Sequence, residues 1–169
     1  MMQKRLSKHE YYLNIAKEVA RRSTCFRRSI GAIIVRDDQI ISTGYVGAPR
    51  KTKDSLEHGF CLRDKLNIPH GQRYELCRSV HAEQNAIINA ARAGVSLLDG
   101  DMYIYGRDCK ENTPINAFPC FICKKMIINA GLNHVICSTV DGKMKIFRIK
   151  DWIKDWQEND IIDDMNQYG

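Results

Sequence analysis

No stretch of this chain is apolar for long enough to span a membrane, which excludes a membrane-spanning helix. The first residues, MMQKRLSKHEYYLNIAKEVA, lack the apolar core and cleavage site of a secretory signal. No internal repeat, low-complexity tract or linker divides the sequence. These absences point to one cytoplasmic domain over residues 1–169, with no membrane partner. What is present is ordinary for a globular chain: 44% hydrophobic and 27% charged residues, with enough length for a sizeable core. Cysteine is plentiful. The chain has seven, two of them in a C-x-x-C, and in a reducing compartment that favours metal binding over a disulfide framework. The net charge of +6 suits an anionic ligand, although nucleic acid, a nucleotide phosphate or solubility alone would each account for it.

The apolar spacing of Leu6, Leu13, Ile15, Ala16, Val19 and Ala20 predicts an amphipathic helix from about Lys4 to Arg22. Ile30 to Val35 reads as a buried strand, Asp37-Asp38 as a turn, and Gln39 to Tyr45 as the hairpin partner. Val46 to Val80 is polar and long for a structureless loop, so it is expected to be functional or tied down, with Cys61 and Cys77 able to do the tying. His81 to Ala93 is helical, with Gly94 as its cap. Met102 to Tyr105 predicts a strand, and Arg107 to Ala117 a second polar loop. A helix is expected with Pro119 in its first turn and Gly131 at its end. His134 to Cys137 predicts a strand, Lys145 to Ile149 an edge strand, and Asp151 to Glu158 a short helix with Trp152 and Trp156 on one face. Alternating strands and helices imply an α/β fold, a three-layer α/β/α sandwich.

Two segments carry chemistry: His81-Ala82-Glu83 and Pro119-Cys120-Phe121-Ile122-Cys123. One histidine and two cysteines can hold zinc and leave a fourth position for water. Cys120 and Cys123, three apart, share one helix face, and His81 lies at another helix start. The positive ends of both helix dipoles favour thiolate ligands. Glu83 can take protons from the activated water and deliver one to a ring nitrogen and then one to a leaving amine. A structural zinc closed by a fourth ligand is the competing reading. The H-x-E…P-C-x-x-C pattern is the signature of zinc-dependent nucleobase deaminases.

Gly31 to Val35, Gly44-Tyr45-Val46-Gly47-Ala48-Pro49, His81 to Ile87 and Pro119 to Gly131 occur in one order. Together they resemble the deoxycytidylate (dCMP) deaminase branch of the cytidine deaminase superfamily, from the first strand to Cys137. The resemblance implies a five-stranded mixed sheet with helices on both faces. It implies a zinc site of His81, Cys120 and Cys123, with Glu83 as proton shuttle and the backbone at Ala82 holding the pyrimidine edge. It implies deamination of dCMP to dUMP, a homo-oligomer (hexamer or dimer), and dCTP and dTTP as effectors. Gly44, Tyr45, Gly47 and Arg92 match positions tied to nucleotide or effector binding or to subunit contact. The chain departs from the branch at Val46, where an asparagine is usual, at Val140, where a tyrosine is usual, and in a longer insertion between Arg107 and Phe118.

Some members of the branch carry a second, structural zinc. Cys25, Cys61 and Cys77 are the candidates here, with His58 or His70 as fourth ligand; Cys109 and Cys137 read as a loop thiol and a core residue. Arg27 and Arg28, in the cluster with Arg21 and Arg22, or Arg50, Lys51 and Lys53, are candidates for a 5′-phosphate. A tRNA adenosine deaminase shares both zinc motifs, but the GYVGAP segment and the long cysteine loop argue against it and against nucleic acid as partner. A zinc-stabilised, non-catalytic nucleotide-binding module is the remaining alternative, and it requires Glu83 to be idle.

Overall fold

The computed structural model describes residues 5–69 and 71–159. The first helix, α1 (Lys8–Ala20), starts where Ser7 and Glu10 form a reciprocal capping box. It is shorter than the periodicity suggests, because the cap fixes its start at Lys8. A hairpin follows, β1 (Arg28–Arg36) and β2 (Gln39–Tyr45), turning through Asp37 and Asp38 at φ 49° and 63°. Asp tolerates this left-handed region better than most residues. The long loop is not structureless. It contains α2 (Ser55–His58), α3 (Leu62–Lys65) and a 3-10 turn at Tyr74–Leu76.

The second half alternates: α4 (Ala82–Ala93), β3 (Asp101–Asp108), α5 (Phe121–Asn129), β4 (His134–Ser138), β5 (Met144–Arg148) and α6 (Ile149–Glu158). One boundary differs from expectation. Cys120 is the N-cap of α5, so Pro119 precedes the helix instead of lying in its first turn. Sheet order is β2-β1-β3-β4-β5, with β3 and β4 parallel and the other pairs antiparallel. This is the expected five-stranded mixed sheet. α5 makes the crossover that a parallel pair requires.

The sheet's two faces carry separate cores. Ile33, Val35, Tyr103 and Ile136 pack against Tyr12, Leu13 and Ala16 of α1. Ala32, Ile34, Met102, Ile104 and Val135 pack against α4, α5 and α6, where Trp152 is buried. Helix and strand approach closely at two glycines. A Cβ on Gly31 would overlap the backbone of Ala16 and Ala20, and a Cβ on Gly44 would overlap the backbone of Ala82 and Ala86. Gly44 thus lets α4 lie directly on β2, and that contact sets where the start of α4 sits. No helix among the described residues is long and apolar enough to cross a membrane.

Candidate metal centre and active site

Two helix starts meet on the α4–α5 face. His81 is the N-cap of α4, and its backbone N–H donates to Gln84 Oε1 at 3.1 Å. Cys120 is the N-cap of α5, and Cys123 lies in the first turn. His81 Nδ1 stands 3.4 Å from both Cys120 Sγ and Cys123 Sγ. All three donor atoms lie within 4.8 Å of one another. Ligands held at about 2.0–2.3 Å around a tetrahedral zinc would be separated by about this much, so the donor set and its spacing fit zinc.

The charges agree with that use. Hydrogen bonding from the Cys123 thiol and contact with the His81 ring outweigh burial and bring Cys120 down to about 4. Cys123, sharing its proton with Cys120 and fully buried, is pushed well up. Burial lowers His81, but the neighbouring Cys120 and Glu83 outweigh it and raise the imidazole above its ordinary value. Glu83 is 6% exposed, and burial raises its carboxyl. It lies within hydrogen-bonding reach of the Cys123 thiol. A carboxyl raised in this way binds a proton more strongly than an exposed glutamate, which suits a proton acceptor. Ala82, between them, is buried at the first position of α4.

The other expected site residues are placed elsewhere. Arg27 forms an ion pair with Asp64 and donates to the Ile68 carbonyl, while Arg28 pairs with Asp108. Tyr45 lies beneath the Arg22 guanidinium, and its carbonyl accepts from Asn85 Nδ2 at 2.8 Å. Gly47 bridges Val80 and so draws the end of the long loop to the start of α4. Arg92 is exposed on the last turn of α4. Arg50 donates to Asn89 on α4. Val46 is buried with both backbone groups bonded, to Ile30 and Thr24. Val140 is 61% exposed, and the insertion reaches it through Asn116, which accepts from its N–H.

On the α1 face a cavity of about 650 Å³ is lined by Cys25, Cys61 and Cys109, with Arg21, Phe60 and Arg107 among its walls. Cys25 is within electrostatic reach of Cys77, Cys61 and Cys109, and Cys109 Sγ donates to the Cys25 carbonyl at 3.4 Å. Among the described residues, however, only His81, Cys120 and Cys123 bring three donor atoms within 4.8 Å; Cys25, Cys61 and Cys77 do not. His58 stands beside Phe60, and His70 lies outside the described residues. Cys137 is a buried core residue, as expected.

Two residues beside the donor cluster carry no sequence motif that marks them. The Tyr74 ring packs edge-on against His81, with centroids 5.1 Å apart, and the Arg63 guanidinium stacks 4.8 Å from the Tyr74 centroid. Both come from the long loop, whose end the Gly47–Val80 bridge ties beside the start of α4; Tyr74 touches His81, and Arg63 touches Tyr74.

Comparison with known proteins gives a consistent result. Residues 6–139 match the cytidine and deoxycytidylate deaminase zinc-binding region. The deoxycytidylate deaminase of Mycobacterium phage D29 is 31% identical over 132 residues, covering 75% of this chain and 91% of that protein. The deoxycytidylate deaminase of Schizosaccharomyces pombe is 31% identical over 129 residues, 76% of this chain and 36% of that protein. The chain thus spans only about a third of the length of that relative. The crystal structure of the dCMP deaminase of cyanophage S-TIM5 with dCMP and dUMP superimposes with a TM-score of 0.56 at 25% identity, covering 79% of this chain and 82% of that one.

Proposed function

Since the chain belongs to the cytidine and deoxycytidylate deaminase zinc-binding family, we propose that it removes the amino group of dCMP by hydrolysis, yielding dUMP and ammonia. The observation that carries this reading is buried Glu83 beside three donor atoms within 4.8 Å. His81, Cys120 and Cys123 would hold zinc, which when bound lowers the pKa of water from about 16 to about 7 and supplies hydroxide at neutral pH. Glu83 would take one proton from the water and give it to the pyrimidine ring nitrogen as the oxygen bonds to the amine-bearing carbon; it would then take the remaining hydroxyl proton and give it to the amine, which leaves as ammonia as the carbon–nitrogen bond breaks and the carbonyl forms. The backbone at Ala82 holds the pyrimidine edge. The phage relatives named for dCMP support this choice of base and sugar.

Recognition of the 5′-phosphate falls to Arg27 or Arg28, each of which would exchange a carboxylate partner for it. Gly44, Tyr45, Gly47 and Arg92 are the candidate region for dCTP and dTTP as effectors. Ile88 on α4, Ile122 on α5 and Ile146 on β5, each more than a third exposed, support assembly into a homo-oligomer, a dimer or hexamer. The reach of Cys25 to Cys61 and Cys77 supports a second, structural zinc there, requiring the three thiols to close together. All seven cysteines are free, which fits a cytoplasmic setting. The test is ammonia release from dCMP, CMP, deoxycytidine and dCTP, each with and without dCTP or dTTP as effector. Preference for dCMP is expected; turnover of none of the four would refute the assignment.

A further inference from the structure

We propose that Arg63 and Tyr74 form a clamp that fixes the imidazole of His81, making them positioning residues for the metal centre; this rests on the zinc reading above. The ring's orientation matters because only Nδ1 faces the thiols, 3.4 Å from each sulfur. A half-turn about its Cβ–Cγ bond would put a carbon there and remove a ligand. Metal-binding histidines are usually held by a hydrogen bond from the second ring nitrogen. Here no protein group among the described residues accepts from Nε2.

What touches the ring is Tyr74, nearly perpendicular at 82° with centroids 5.1 Å apart. Edge-to-face rings at this separation attract and resist rotation. Tyr74 is itself held from behind. The Arg63 guanidinium lies 4.8 Å from its ring centroid, a cation on the negative face of a π system. Arg63 is 5% exposed, donates through Nη2 to the Pro69 carbonyl at 3.0 Å, and leaves Nε buried without a partner. No carboxylate among the described residues forms an ion pair with it, although Glu75 is near enough to feel its charge. A guanidinium so deeply buried is costly unless its environment compensates, and the Tyr74 face is the closest compensation beside the Pro69 carbonyl. The backbone contributes as well. Arg73, just before the 3-10 turn that presents Tyr74, takes φ 51°, a left-handed conformation that costs free energy in a non-glycine residue. Guanidinium, phenol and imidazole thus stand in series, and the last is a metal ligand.

The test is a zinc competition titration against a chromophoric chelator, on the full chain and on Tyr74→Phe, Tyr74→Leu, Arg63→Met and Arg63→Lys. His81→Ala identifies which zinc belongs to this centre. Tyr74→Leu and Arg63→Met are expected to weaken that zinc about 10- to 100-fold, the usual effect of losing an outer partner. Tyr74→Phe keeps the ring and should keep wild-type affinity; Arg63→Lys keeps the cation and should recover part of the loss. The absorption bands of the cobalt-substituted protein should shift in Tyr74→Leu and stay in Tyr74→Phe, a change that general loosening of the fold would not produce selectively. If Arg63→Met fails to fold by circular dichroism, Tyr74→Leu decides, since Tyr74 is only half-buried. Folded Tyr74→Leu with wild-type zinc affinity and an unshifted cobalt spectrum overturns the clamp alone. A wild-type chain without His81-dependent zinc overturns the metal reading and the clamp together.

Discussion

The two faces of the sheet both gather cysteines, but among the described residues only one brings three donor atoms together. On the α4–α5 face two helices begin at the same point, and their N-termini offer positive dipole ends to Cys120 and Cys123. Cys120 is held as a thiolate at about 4. On the α1 face the helix ends rather than begins, beside a cavity lined by Cys25, Cys61 and Cys109. There burial raises Cys25 and Cys109, and the candidate thiols Cys25, Cys61 and Cys77 do not converge. Cysteine count and proximity are therefore weak predictors of a preformed metal site. The direction of the helices and the fixed three-residue spacing do more.

Breaking the α4–α5 side should have the largest effect. Cys123→Ala removes a buried member of the proposed zinc site, and we expect deamination to fall below detection with loss of the His81-dependent zinc, read by metal analysis. Full zinc retention would show that Cys123 is not a ligand. Gly44→Ala should come next. The added methyl meets the backbone of Ala82 and Ala86, so α4 must shift, at a cost of about 1–3 kcal/mol in urea unfolding. Wild-type stability would mean that β2 and α4 are not in direct contact there.

The fold was largely legible because its strongest signals are local. The Ile30–Val35 run, the Asp37-Asp38 turn and the HAEQNAIINAARA helix each declare themselves within a dozen residues. The site was legible for the same reason, since His81, Glu83, Cys120 and Cys123 sit in two short motifs. What was hidden depends on long-range partners. Arg27 and Arg28 read as candidates for a 5′-phosphate, and the carboxylates they pair with lie 37 and 80 residues away. Tyr74 and Arg63 carry no periodic signal, and four-residue helices such as α2 and α3 are too short to have one. Pro119 lies two positions before the first residue of α5, because Cys120 caps the helix.

On the α1 face the expected effects are smaller. Cys61→Ser tests the second zinc. If Cys25, Cys61 and Cys77 bind metal, purified wild type carries two zinc ions per chain and the variant one, with deamination reduced but present. One zinc in both proteins leaves only the α4–α5 centre. The mildest effect concerns Tyr12, which burial and the Asp38 carboxylate raise from 10.0 to about 12. A folded-state pKa above the unfolded one means that its contribution to stability is complete below about pH 10 and is lost as pH climbs toward 12. Thermal melts between those values should decline less steeply in Tyr12→Phe; equal slopes would show that Tyr12 titrates normally.

Glu83 is proposed to move protons at a site whose metal is held by His81, Cys120 and Cys123. Glu83→Gln tests it most directly, with zinc content and ammonia release from dCMP measured on the same sample. Retained zinc with turnover reduced at least about 100- to 10,000-fold is the predicted result. Retained zinc with unchanged turnover would contradict it.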